Sequence, residues 1–256
     1  DGLESRGLGD VYKRQTLTQA LSGTWTDTHS EERKRGISIK LGYADTAFYK
    51  NKEGEYYARG KNPDGGEDSE NDLLRVISFV DAPGHETLMA VMISGAAIMD
   101  GALLLVAANE TCPQAQTREH LAALQIAGIE NIVVVQNKVD IVSKERAIES
   151  YQEILSFIEG TIAEGSPIVP VSAHHDVNLD MLIQAIEDTI PSPSLDSEDK
   201  GLMYVARSFD VNRPGSRPNK LRGGIIGGSI VEGSFSVGDS IPVSYTHLTL
   251  PTSSWV

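Results

Sequence analysis

Four short stretches of this chain carry polar side chains at spacings suited to phosphate and base chemistry. "DAPGH" (81–85) follows the apolar run "LLRVISFV" (73–80). Open α/β sheets bind ligands at the carboxyl ends of their strands. A carboxylate there, Asp81, can hold a hydrated Mg²⁺. Gly84 has no Cβ, so its N–H can approach a terminal phosphate closely. His85 can orient a water for in-line attack. D-x-x-G alone is also an ordinary strand-to-helix turn, so the other stretches must decide.

"NKVD" (137–140) ends the run "NIVVVQ". Asp140 can accept two hydrogen bonds from the N1–H and N2–H₂ edge of guanine, a donor pair that adenine lacks. Lys138 can lay its stem along the base plane, and Asn137 can tie neighbouring loops. "VSAHH" (171–175) leaves another strand end, where the N–H groups of Ser172 and Ala173 could meet guanine O6. His174 and His175 read as exposed loop histidines. "HSEERKRGISIKLGYAD" (29–45) is a polar stretch leading into a strand. Its Ser38 hydroxyl could enter a Mg²⁺ shell when a γ-phosphate is bound and leave it afterwards, which would make a switch.

The elements that must present these residues alternate. Strands are expected at 73–80, 101–108, 131–137 and 167–173, helices at 86–99, 113–128, 144–160 and 178–190. Short, apolar, β-rich runs buried on both faces imply a parallel sheet. Pro113 is placed to open its helix and Gly128 to close it. The expected fold class is therefore α/β, a doubly wound domain. Residues 51–72 read as a solvated acidic insertion. "PSPSLDSEDK" (191–200) reads as a linker. Beyond it, short strands with Gly and Asp turns mark the start of a β-barrel, too short to close.

Composition narrows the class. A net charge of −14 argues against broad non-specific nucleic-acid binding. The single cysteine, Cys112, excludes an internal disulfide and fits a reducing, cytoplasmic setting. It reads as a small packed residue at a loop–helix junction rather than a nucleophile. No signal peptide is visible. The most apolar stretch, 90–108, carries Asp100 and Gly101 and reads as a helix running into a strand, so no membrane span is expected.

In the order D-x-x-G, N-K-x-D, S-A, these stretches resemble the translational GTPases. The longer matches resemble the gamma-subunit family of archaeal and eukaryotic translation initiation factor 2: "HSEERKRGISIKLGYA", "ISFVDAPGHETLMAVMISGAAIMDGALLLVAANE", "PQAQTREHLAAL", "VQNKVDIVSKE" and "RSFDVNRPG" with "LRGGIIGGSI". They run from Thr16 to about Pro242. The resemblance implies a P-loop-type G domain followed by two β-barrels, with GTP/GDP and Mg²⁺ bound. It implies delivery of initiator methionyl-tRNA to the small ribosomal subunit, with alpha and beta partner subunits. Asp81, Gly84 and His85 carry over to the second switch. Asn137, Lys138, Asp140, Ser172 and Ala173 carry over to guanine recognition. Ser38 stands where the family usually has Thr.

The departures shape what is expected of this chain. The family insertion often holds a four-Cys zinc site; 51–72 has no Cys, so no zinc is expected. Before "TLTQALSG" the family has a glycine-rich phosphate loop ending in Lys-Thr, whereas Arg14 and Gln15 stand there. Residues 1–15 and 243–256 read as a non-native-looking leader and tail around a G domain at 16–190 that lacks its first strand and phosphate loop. The incomplete barrel then covers 201–242. Without the phosphate cradle the chain is expected to be nearly inactive as a GTPase. Two further readings remain, a nucleotide-dead binding scaffold and a selenocysteine-type elongation factor.

Overall fold

The computed structural model describes residues 15–24, 42–81, 99–192, 201–209, 211, 212, 217, 220, 224–245 and 248–255. Ser38, Gly84, His85 and all but the last residue of the helix expected over 86–99 lie outside them. The chain divides into two units, Asp1–Ser192 and Pro193–Val256, a division inside the expected linker.

The first unit is mixed α/β. Helix α1 (15–22) is followed by the strands Gly42–Lys50 (β1), Tyr56–Ala58 (β2) and Asp72–Asp81 (β3). Then come Ala102–Ala107 (β4), the helix Ala115–Ala127 (α2), Ile132–Asn137 (β5), the helix Lys144–Ile158 (α3), Ile168–Pro170 (β6) and the helix Leu179–Thr189 (α4).

Strands β4, β5 and β6 form a parallel sheet in that order. Side chains alternate across it because successive residues of a strand face opposite ways. Val133 and Val135 pack with Leu17 and Leu21 of α1 and Leu182, Ile183 and Ile186 of α4. Leu104, Val106, Ile132 and Val134 pack on the other face with Leu121 of α2 and Ile154 and Ile158 of α3. Helices thus cover both faces. Residues 132–135 of β5 are fully buried, each contributing about 1.5–3 kcal/mol by area.

The helix ends follow local chemistry. Ser143 caps α3, its Oγ accepting from the Arg146 N–H at 3.3 Å. Gly128, at φ 71°, closes α2 in the left-handed conformation that glycine adopts without strain. Pro113 stands ahead of α2, which begins at Ala115 with Gln114 as its cap. At Gly101 a Cβ would lie 2.7 Å from Ile190 Cδ1 and 2.8 Å from the Asn131 carbonyl, so the strand entry there admits no side chain.

Strand β3 corrects the expectation of a buried, parallel strand over 73–80. It runs antiparallel to β1, in a separate sheet of order β2-β1-β3. Ile77 and Phe79 turn inward beside Phe48, whereas Leu73 and Val76 are 56% and 69% exposed. An apolar run does not reveal its pairing partner; here the chain returns from the 51–72 insertion and pairs with the strand it has just left. Arg75 joins this sheet to α4. Its guanidinium donates to the Ile190 and Ile186 carbonyls (2.6 and 3.0 Å) and pairs with Glu187 at 2.7 Å, satisfying carbonyls at the helix end.

The 51–72 insertion lies between β1 and β3 and is largely exposed, as expected, and it is also internally ordered, a folded knob. It contains two matching turns, "NKEG" (51–54) and "NPDG" (62–65). In each, the Gly N–H donates to the Asn carbonyl (3.0 and 3.1 Å), and the third residue's N–H donates to the Asn Oδ1 (3.1 and 3.0 Å). Gly54 and Gly65 have φ of 92° and 69°, which explains the glycine at both. Asn51 is buried and spans the two turns, its Nδ2 donating to Asp64 at 3.1 Å and Glu55 at 3.0 Å. Behind the knob, Tyr57 and Ala58 enter the core.

The second unit contains two antiparallel pairs. Leu202–Phe209 (β7) pairs with Ile225–Glu232 (β8), and Ser240–Tyr245 (β9) with Leu248–Trp255 (β10). The stretch 243–256, expected as a non-native-looking tail, therefore supplies β10 and the end of β9. Among the described residues no pairing joins the two hairpins into a closed barrel.

Candidate nucleotide site

The site is built where β5 and β6 end. Asn137 is the last residue of β5 and is buried. Its Oδ1 accepts from the N–H of Lys138 at 2.7 Å and of Ala173 at 3.2 Å. One carboxamide therefore holds the loop after β5 against the loop after β6. Backbone bonds reinforce the join: the Ala108 N–H donates to the Asn137 carbonyl at 2.9 Å, and the Val171 N–H to the Gln136 carbonyl at 2.8 Å.

Lys138 has φ 66°, an uncommon left-handed conformation for a side-chain-bearing residue. Such strain persists only where surroundings enforce it, and it concentrates at functional sites. The short turn Val139–Ile141 follows and presents Asp140, whose side chain is 24% exposed. The neighbouring Ser172 hydroxyl is the main cause that holds the Asp140 carboxyl below the usual carboxylate range, against the opposing cost of burial. That hydroxyl is itself buried and makes no hydrogen bond of standard geometry. It lies close enough to Asp140 to stabilise the carboxylate. An ionised carboxylate beside a buried hydroxyl suits a ligand edge rich in N–H donors.

The Ser172 and Ala173 N–H groups were both assigned to guanine O6 from sequence. In this structure both are engaged within the chain. Ala173 donates to Asn137, and Ser172 donates to the Val177 carbonyl at 3.2 Å, with Val177 donating back at 3.0 Å. Residues 172–177 thus close on themselves, with Asp176 (φ 54°) and Asn178 (φ 60°) in the left-handed region.

His174 and His175 are exposed loop histidines, as the sequence implied, and His175 also comes near Asp140. The His175 Nε2 lies 3.6 Å from Asp140 Oδ2, and its ring meets His174 edge-on at 4.8 Å. The only available signal was its place three residues after Ser172.

Asn137, Lys138, Asp140, Ser172 and Ala173 are brought together. Asp81 stands elsewhere, buried at the end of β3 and opposite Gly42 of β1. It belongs to the antiparallel sheet, and among the described residues no strand pairing joins that sheet to β4. A buried carboxylate oxygen at a strand tip is the donor type that a hard divalent cation takes. Ser38, Gly84 and His85 lie outside the described residues.

Cys112 is half-buried, and burial followed by the nearby Glu153 pushes its thiol up to about 11, so it stays protonated at neutral pH. Its N–H donates to Glu153 at 2.7 Å. Glu153 pairs with Arg146 at 2.8 Å, and Arg146 also donates to the Glu110 carbonyl at 2.8 Å, fastening α3 to the loop before α2. Among the described residues no helix is long and apolar enough to cross a membrane. Part of the apolar stretch 90–108 is strand β4.

Comparison with known proteins shows the family. The family model of the elongation factor Tu GTP-binding domain matches residues 6–192. The chain belongs to that family. The match begins ten residues earlier than the resemblance read from sequence, which started at Thr16.

Curated relatives carry the name translation initiation factor 2 subunit gamma. That of Thermoplasma acidophilum is 60% identical over 235 residues, covering 91% of this chain and 56% of the relative. That of Archaeoglobus fulgidus is 59% identical over 236 residues, covering 91% and 55%. The chain thus spans a little over half the length of the curated relatives it matches. Among solved structures, a bacterial selenocysteine-specific elongation factor superposes with TM-score 0.66 at 30% identity, covering 90% of this chain and 34% of that one. The elongation factor SelB of Methanococcus maripaludis, in complex with the GTP analogue GppNHp, gives 0.65 at 25% identity, covering 95% and 43%.

Proposed function

We propose that this chain is part of a GTP-binding and GTP-hydrolysing gamma subunit of translation initiation factor 2. The observation that carries the reading is the joined pair of loops after β5 and β6. There Asn137 locks the loops together and Asp140 stands ionised beside the Ser172 hydroxyl. Asp140 accepts the N1–H and N2–H₂ donors of guanine, and Lys138 lies along the base. A base without that donor pair leaves the carboxylate unsatisfied, which is the physical source of selectivity.

At the phosphate end the reading follows family resemblance. Asp81 and Ser38 would hold Mg²⁺, which when bound neutralises phosphate charge. Gly84 would approach the terminal phosphate, and His85 would orient the attacking water. Doubly wound topology, an incomplete barrel in the second unit and a cytoplasmic location belong to the same reading. So do the initiator methionyl-tRNA, the small ribosomal subunit and the alpha and beta subunits as partners; the names of the relatives support this.

Calorimetric titration with GDP, ADP and XDP tests the base site. GDP binding with no ADP binding is the expected result, and equal binding of both would sink the guanine assignment. One observation favours a second reading. Gln15 is buried in the first described turn of α1, where the family pattern has the Thr that follows the phosphate-loop Lys. A chain so built should turn over GTP weakly and act chiefly as a scaffold. GTP hydrolysis at an ordinary translational-GTPase rate would remove that reading. The solved neighbours suggest a selenocysteine-type factor, which capture of selenocysteinyl-tRNA in preference to initiator tRNA would support.

A further inference from the structure

The 51–72 knob has no part in the function argued so far, yet one of its side chains reaches the base-reading loop. Lys61 Nζ lies 2.7 Å from Asp176 Oδ2, a bond spanning 115 residues of sequence. Both ends of this bond are held. Lys61 is set by its N–H donating to the Ala58 carbonyl at 2.9 Å, and Ala58 is buried in the core. The knob is braced by Asn51 and by the Gly60 N–H, which donates to Asp68 at 2.8 Å. Asp176 stands at φ 54° within the closed turn 172–177, four residues after Ser172. On the far side, Asn178 Nδ2 donates to the Pro170 carbonyl at 2.9 Å. A left-handed Asp costs energy that its surroundings must offset, and Lys61 is the cation placed to do so.

We propose that Lys61 and Asp176 are positioning residues for base recognition. The insertion latches the loop that also carries Ser172, Ala173 and, next to Asp176, the Asp140-facing His175. The consequence for binding rests on the guanine reading above; the latch itself does not.

Amide hydrogen exchange on the 256-residue chain separates the two. In Lys61→Ala, the Val177 and Ala173 amides should exchange faster by up to about fivefold, the ceiling for an exposed ion pair. The Ile154 and Ile158 amides in α3 should not change. Lys61→Arg should restore protection. Unchanged exchange at Val177 and Ala173 overturns the latch, as does a rise shared equally by α3. GDP affinity of the same variants should fall about two- to fivefold in Lys61→Ala and recover in Lys61→Arg. Faster loop exchange with unaltered GDP affinity overturns the positioning role. A parent chain that binds GDP no better than ADP overturns the guanine reading and the positioning role with it, while the exchange result still decides the latch.

Discussion

The parallel sheet β4-β5-β6 and the antiparallel sheet β2-β1-β3 each have three strands, but they rest on different supports. In the parallel sheet, β5 is buried along its length and helices cover both faces. In the antiparallel sheet one face meets the core through Phe48, Ile77 and Phe79, while Val76 and Leu73 stand in solvent. The residues proposed to read the base sit at the tips of the first sheet, and Asp81 at the end of the second. A carboxamide such as Asn137 can hold two loops to hydrogen-bond tolerance only if the strands beneath them cannot shift, and dense two-sided packing supplies that rigidity. A strand with one open face has less to hold it.

Truncation should break the comparison most visibly. Ile154→Ala, in a fully buried position against the parallel sheet, should cost about 2–5 kcal/mol in urea unfolding. A loss below about 1 kcal/mol would mean that this face is looser than its burial implies. At the tip of the same sheet, Asp140→Asn should weaken GDP by about one to two orders of magnitude. It should favour XDP, because the new NH₂ can donate to the second carbonyl of xanthine. GDP titration at matched pH checks this.

Glu153→Gln should alter the acid limb of stability. Arg146, chiefly, holds the Glu153 carboxyl below its usual range, with help from the Cys112 N–H. A lowered folded pKa gives stability that is present above the unfolded value of about 4.3 and lost as pH falls through the folded value. The parent chain should therefore lose more stability than Glu153→Gln between neutral pH and the acid side of the carboxylate range. Parallel melting curves would contradict this. The smallest effect belongs to the open face: Val76→Ala should change stability by no more than about 0.5 kcal/mol. A cost matching that of Ile154→Ala would erase the distinction between the sheets.

Much of the parallel half was legible in the sequence. Three of its strands and three of its helices fall within a few residues of their expected positions, because strand runs, Ser143 and Gly128 are local signals. The pairing of 73–80 was not legible, since an apolar strand carries no label for its partner. Nor was the order inside 51–72. Its polar composition reads as solvated, yet two Asn-x-x-Gly turns give that composition a hydrogen-bonded frame.

The sequence by itself determined the chemistry available: a carboxylate and amide at fixed spacing after one apolar run, a hydroxyl after another, and an acidic insertion without cysteine. These depend on residue identity and near neighbours. Only the tertiary structure decided that Ala173 N–H is held by Asn137, that His175 faces Asp140, and that Lys61 reaches Asp176. Each of these joins residues separated by 35 to 115 positions. No local propensity encodes such a distance; the packing of helices on a shared sheet sets it.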